Sequence, residues 1–228
     1  MRLPAACPSR RDLIGLVVFC ASLAPVSGFA EAPSPYQWQP AGVESGCELA
    51  KSEVRTKRYI AAKATCVVAA SVHEVGDVLR DIPHYSEWMH DCAATTMLEV
   101  VDREKDTYVF WFRQHVPILT DRDIVLKSEV RREEVDGRTV VSIVARSTDA
   151  VKHDSGKGLV RMPSFTSEWR LEAVDAQHTR VTFMIDPDLG PGLPVGFANH
   201  TILKVPFKSI RGLMRVLGER RERLSATP

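Results

Sequence analysis

Neither charge sign dominates this sequence: 30 Lys and Arg stand against 29 Asp and Glu, a formal net charge of +1. That balance excludes the basic footprint of a nucleic-acid binder. No apolar run is long enough to span a bilayer comfortably. No phosphate-cradling glycine loop, dinucleotide fingerprint or nucleophile elbow occurs, so no catalytic residues are assigned. The cysteines fit no zinc spacing. The histidines show no two-ligand helical spacing, so neither a metal nor a cofactor is expected. There is no internal repeat and no sign of a second domain.

What remains is a chain with 44% apolar residues, enough for a core. It opens with Arg2, Arg10 and Arg11, then an apolar run over 13–24, then small residues up to Ala30. This is the pattern of a secretory signal cut after Ala30. The Arg10-Arg11 pair fits a twin-arginine signal as well as the general route. The expected localisation is therefore periplasmic or secreted. Cys7 and Cys20 would leave with the signal, and Cys47, Cys66 and Cys92 would remain in an oxidising compartment.

Residues 31–42 read as a Pro-rich leader, with Trp38 as its anchor. The stretches 43–54 and 59–69 read as two strands. If Thr56-Lys57 is their turn, paired residues sum to 113 and Cys47 lies opposite Cys66, a candidate disulfide. Ser71 and Glu74 form a capping box for a short helix, and a second short helix holds 84–89. Alternation predicts further strands over 95–101, 107–115, 122–131 and 139–145, the last two joined at Asp136-Gly137. A long strand over 157–174, bulged at Pro163, and a final strand over 180–185 complete an antiparallel, one-sided sheet.

The stretch 186–221 organises the rest. A Pro- and Gly-rich turn region leads into a helix whose apolar stripe is Leu203, Phe207, Ile210, Met214 and Leu217. A long one-sided helix after a run of strands must bury its stripe on the sheet. Pro206 should kink it. The helix is either a plain core element or a lid over a cavity.

The order of these parts resembles the START family of lipid-transfer domains. The matching residues are Tyr85 to Trp88, then Pro117-Ile118-Leu119-Thr120-Asp121-Arg122-Asp123. Arg161 and Trp169-Arg170-Leu171 follow, then Ile185-Asp186 and Gly192-Leu193-Pro194. The match covers roughly 43–217. The resemblance implies an α+β helix-grip fold, with a curved antiparallel sheet wrapped around a long C-terminal helix and an internal cavity for one lipid or sterol. Family members bind and carry, and most have no catalytic residues.

Tyr108, Phe110 and Phe112 share one face of their strand, which is either cavity wall or core packing. Arg122 has the parity of Ile124 and Leu126 and points inward, where it needs an ion-pair partner or a ligand head group. Asp123 faces the other way, toward a loop. The expected ligand-binding residues are Trp88, Tyr108, Phe110, Phe112 and Arg122, with Leu126, Trp169, Leu203 and Phe207. The expected domains are a signal at 1–30, a leader at 31–42, the binding domain at 43–221 and a tail at 222–228. The expected function is an exported, monomeric, non-enzymatic lipid carrier that holds one hydrophobic molecule and touches membranes transiently. The alternative is a cyclase- or aromatase-like enzyme on the same fold, with His115 and Tyr108 or Glu99 as acid and base.

Overall fold

A computed structural model describes residues 34–54 and 57–226. The predicted signal at 1–30 lies outside the described residues, as does Thr56 of the predicted turn.

The first predicted strand is in fact a hairpin. Strand β1 (Gln39–Glu44) and strand β2 (Cys47–Ser52) are joined by Ser45-Gly46, both with positive φ. Ser-Gly is a turn dipeptide, and the apolar residues on either side disguised it as one strand. β1 therefore begins inside the stretch assigned to a leader. Ahead of it, the Tyr36 hydroxyl donates to Asp186 at 2.9 Å, and the Lys63 ammonium lies 4.5 Å from the Trp38 ring centre.

Strand β3 (Ala61–Val68) pairs with β2 in the 113 register, Glu48 opposite Thr65 and Leu49 opposite Ala64. The link runs from 53 to 60, longer than a two-residue turn. Cys47 and Cys66 are bonded as a disulfide, their Cα atoms 4.5 Å apart.

Helix α1 (Val72–Arg80) carries the full capping box at Ser71 and Glu74. A 3₁₀ helix (Ile82–Glu87) follows, then β4 (Cys92–Asp102), β5 (Thr107–Gln114), β6 (Arg122–Val135) and β7 (Arg138–Ser147). Asp136 and Gly137 both take positive φ, as a two-residue primed turn requires. The predicted single strand over 157–174 is two: β8 (Val160–Arg161), parallel to β6, and β9 (Ser164–Ala173). Pro163 separates them, because it has no N–H for a ladder. Strand β10 (Thr179–Asp188) closes the series.

The strands form one curved sheet in the order β1-β2-β3-β10-β9-β7-β6-β5-β4, antiparallel throughout except for β8. Helix α2 (Val195–Ser225) continues through Pro206 and through most of the residues assigned to a tail. It packs chiefly on β3 and more lightly on β10, β2 and α1. Close approach to the 3₁₀ segment depends on Gly212, which faces the Trp88 carbonyl with no room for a side chain.

Candidate functional site

Sheet and helix do not meet everywhere. On the inner face, Ser128 of β6 stands beside Ala145 of β7, which stands beside Ser167 of β9. Three small side chains in a row leave space that Tyr85 and Met89, from the other layer, do not fill. This chamber of about 40 Å³ is walled by Phe110, Phe112, Leu126, Phe165, Trp169 and Phe183. A second chamber of the same volume lies between the sheet and the first half of α2. Its wall takes Ile185 and Pro187 from β10, Val116 and Pro117 from the β5–β6 link, and Leu189 and Leu193 from the segment before α2. From the helix come Phe197, Ala198, Thr201, Ile202, Val205 and Ser209. Met89, Phe112, Phe165 and Phe183 line both chambers and form the partition.

Among the described residues, no Lys, Arg, Asp or Glu lines either chamber. The polar groups of the α2 chamber are His90, Gln114, His115, Thr201 and Ser209. Burial lowers the pKa of His90 despite the opposing pull of Asp91. Thr201 donates its hydroxyl to the Phe197 carbonyl at 3.1 Å, whereas buried Ser209 Oγ has no hydrogen-bond partner among the described residues.

Of the nine residues expected to bind ligand, the structure brings Phe110, Phe112, Leu126 and Trp169 to the chamber walls. The other five sit elsewhere. Trp88 is buried behind the wall, edge-on to Trp169 at 5.9 Å, and supports it. Trp169 in turn stacks on Phe183, ring centres 3.8 Å apart. Tyr108 has the inward parity of Phe110 and Phe112 but lies at the end of β5 under α1, where its hydroxyl donates to Asp106 at 3.1 Å. Leu203 is half-buried and Phe207 fully buried, but neither lines a chamber.

That placement has a physical origin. α2 buries residues that line the chamber and residues that do not, among them Phe207, Ile210, Leu213 and Leu217. The face over the chamber mixes Phe197, Ile202 and Val205 with Ala198, Thr201 and Ser209, whose small or polar side chains weaken the hydrophobic signal.

Arg122 is the fifth residue placed off the chamber walls. It is 2% exposed and points inward, but its partners are neither a carboxylate nor the cavity. Its guanidinium donates to the carbonyls of Leu189 (3.4 Å), Pro191 (3.1 Å) and Thr120. It thus ties the segment leading into α2 to the sheet, and burial lowers its pKa. Asp123, on the outer face, is fully buried under β8. It accepts two hydrogen bonds from Arg161 (3.0 and 2.8 Å) and one from Trp111 Nε1 (2.8 Å). Burial works to raise its pKa, but these donors outweigh it and hold the carboxyl below its usual range.

The acid–base pair of the cyclase alternative is not assembled. Tyr108 and His115 are seven positions apart along or just beyond β5, roughly 23 Å at about 3.3 Å per residue. His115 is bonded to Asp121 at 3.0 Å, and Glu99 sits on β4 opposite Val109. Among the described residues, no cluster of metal-binding side chains occurs and no helix is long and apolar enough to cross a membrane.

Comparison with known proteins agrees with this architecture. The chain is 26% identical over 204 residues to an uncharacterised protein of Pseudomonas aeruginosa, covering 89% of this chain and 96% of that one. A crystal structure of a STAR-related lipid transfer protein from Xanthomonas axonopodis superposes with a TM-score of 0.66 at 26% identity, covering 79% of this chain and 98% of the other. Human StAR-related lipid transfer protein 5 shares the fold, with a TM-score of 0.72 at 14% identity over 81% and 88% of the two chains. The sequence profile of the START domain matches residues 42–223, and the chain belongs to the START domain family.

Proposed function

We propose that this protein is an exported, non-enzymatic carrier that holds one lipid-like molecule between its sheet and helix α2. The observation that carries the reading is the pair of adjoining apolar chambers with no carboxylate, ammonium or guanidinium on their walls among the described residues. Apolar burial at about 25 cal/mol per Å² would supply most of the affinity. Ligand pockets commonly measure about 300–1,000 Å³, so chambers of about 40 Å³ must widen and merge to take a lipid. The side chains that would give way are those of the partition, Met89 and Phe112 above all.

Export is supported by the charged, apolar and small-residue order of 1–30, and the disulfide suits an oxidising compartment. Transient membrane contact is supported by the apolar side chains beside the α2 chamber. Ile118 and Leu119 are exposed next to Pro117, and Val195 and Phe197 are exposed at the start of α2. A monomer would suffice for all of this.

The test is organic extraction of the purified exported protein followed by mass spectrometry. One lipid per chain is expected, together with transfer between vesicles that weakens in the Ile118→Asp and Phe197→Asp variants. An extract without lipid, from protein that also moves none between vesicles, would overturn the reading.

A further inference from the structure

Ser209 holds the one buried hydroxyl on the α2 chamber that lacks a partner among the described residues. It lies in the middle of α2, is 0% exposed, and its Oγ accepts and donates nothing there. A serine inside a helix commonly gives its hydroxyl to the carbonyl four residues back, as Thr201 does to Phe197. An unpaired buried hydroxyl is destabilising, and alanine at this position would avoid the cost. The group is therefore free to meet something that enters the chamber.

The surroundings limit what that can be. Arg122, the buried cation, is turned to backbone carbonyls and lines neither chamber. An ionised head group entering here would lose its water and meet no Lys, Arg, Asp or Glu among the described residues of the wall. An aliphatic chain with no polar atom would leave Ser209 unpaired still. A small neutral polar group satisfies both conditions, because a hydroxyl or carbonyl oxygen accepts from Ser209 and needs no ion partner.

We propose that the cavity selects an uncharged amphiphile, a lipid bearing a hydroxyl, ester or ketone oxygen, whose oxygen hydrogen-bonds with Ser209. Its hydrocarbon lies along Phe112, Phe165 and Phe183. The far end reaches the second chamber, where Ser128 and Ser167 offer two more hydroxyls to a ligand with a second polar group. This inference rests on the carrier reading and narrows it.

The test uses 1-hexadecanol, hexadecane and hexadecanoate, each delivered from cyclodextrin to lipid-stripped full-length protein and titrated calorimetrically at neutral pH. Wild type is expected to bind the alcohol about tenfold more tightly than the alkane, the scale of one hydrogen bond. The carboxylate should bind more weakly than the alcohol. Ser209→Ala should remove the preference for the alcohol and leave alkane affinity unchanged. Its melting temperature without ligand should equal or exceed that of wild type, which separates a binding role from a structural one. Equal binding of alcohol and alkane by wild type, unchanged alcohol affinity in Ser209→Ala, or tightest binding of hexadecanoate would each overturn the proposal and leave the carrier reading standing. Failure of wild type to bind any of the three would bring down both.

Discussion

Gly212 of α2 sits directly against the backbone of Trp88. A Cβ built on Gly212 would fall 2.9 Å from the Trp88 carbonyl carbon and closer still to its oxygen. Backbone cannot rotate away as a side chain tip does, so helix and 3₁₀ segment would have to separate. Gly212→Ala is expected to cost about 1–3 kcal/mol, despite alanine's better helix propensity. At this size that is a fall in melting temperature of about 2–4 °C per kcal/mol. Gly218→Ala is the control: nothing lies within 4 Å of its would-be Cβ, so it should be neutral or mildly stabilising. Equal melting temperatures for both variants would show that the contact is not required.

Arg122 offers a second test. Arg122→Leu leaves the carbonyls of Leu189, Pro191 and Thr120 without their shared donor. Orphaning the buried Leu189 carbonyl costs about 1–3 kcal/mol, whereas Thr120 and Pro191 are exposed and their carbonyls can turn to water, so a loss of about 1–3 kcal/mol is expected in urea unfolding. Arg122→Lys should recover little, because a point charge cannot reach three carbonyls in a planar fork. Full stability in the leucine variant would mean that the clamp contributes nothing.

The Asp123–Arg161 pair sets an acid dependence. Asp123 has a folded-state pKa below its unfolded value, so its contribution is complete above the ordinary carboxyl range and is lost as pH falls through the folded value. Asp123→Asn is expected to cost about 3 kcal/mol near neutrality. The gap between variant and wild type should shrink from about pH 4 downward. A gap independent of pH over that range would contradict the assignment.

The cysteines make a chemical prediction. Non-reducing peptide mapping should give a Cys47–Cys66 link, and reduction should cost about 3 kcal/mol for a loop of this length. Cys92 is a free, buried thiol whose pKa burial pushes up to about 12, so it should label only after denaturation. Rapid labelling of Cys92 in folded protein would show that its environment is open.

Much of this fold is written locally. The Ser71–Glu74 box, the Asp136-Gly137 turn and the alternation of β5 and β6 are each decided by neighbours in sequence, and each is legible there. Parity also placed Phe110, Phe112 and Leu126 on the inner face. What parity cannot supply is which second-layer element covers a given stretch of sheet. Tyr108 shares the face of Phe112 and lies under α1 rather than α2, so it misses the chamber. The cavity itself depends on Ser128, Ala145 and Ser167 standing side by side on three strands. No local pattern aligns residues so far apart in the chain. Ser209 escaped notice for a related reason: in a helix of apolar stripes, one serine reads as solvent-facing until the helix is docked.

The narrowness of the two chambers has a kinetic consequence. A ligand cannot occupy space that the walls have not yet yielded, so widening must precede, or accompany, each capture and release. In stopped-flow mixing, the observed rate should rise with ligand concentration and then level off at the rate of widening. That plateau should be shared by ligands of different affinity. Pro206, which has no N–H to give the Ile202 carbonyl, removes one hydrogen bond from the part of α2 that forms the wall. Pro206→Ala restores that donor and is expected to lower the plateau. In a carrier of this kind the speed of loading is governed less by how well the cargo fits than by how often one stretch of helix lets go.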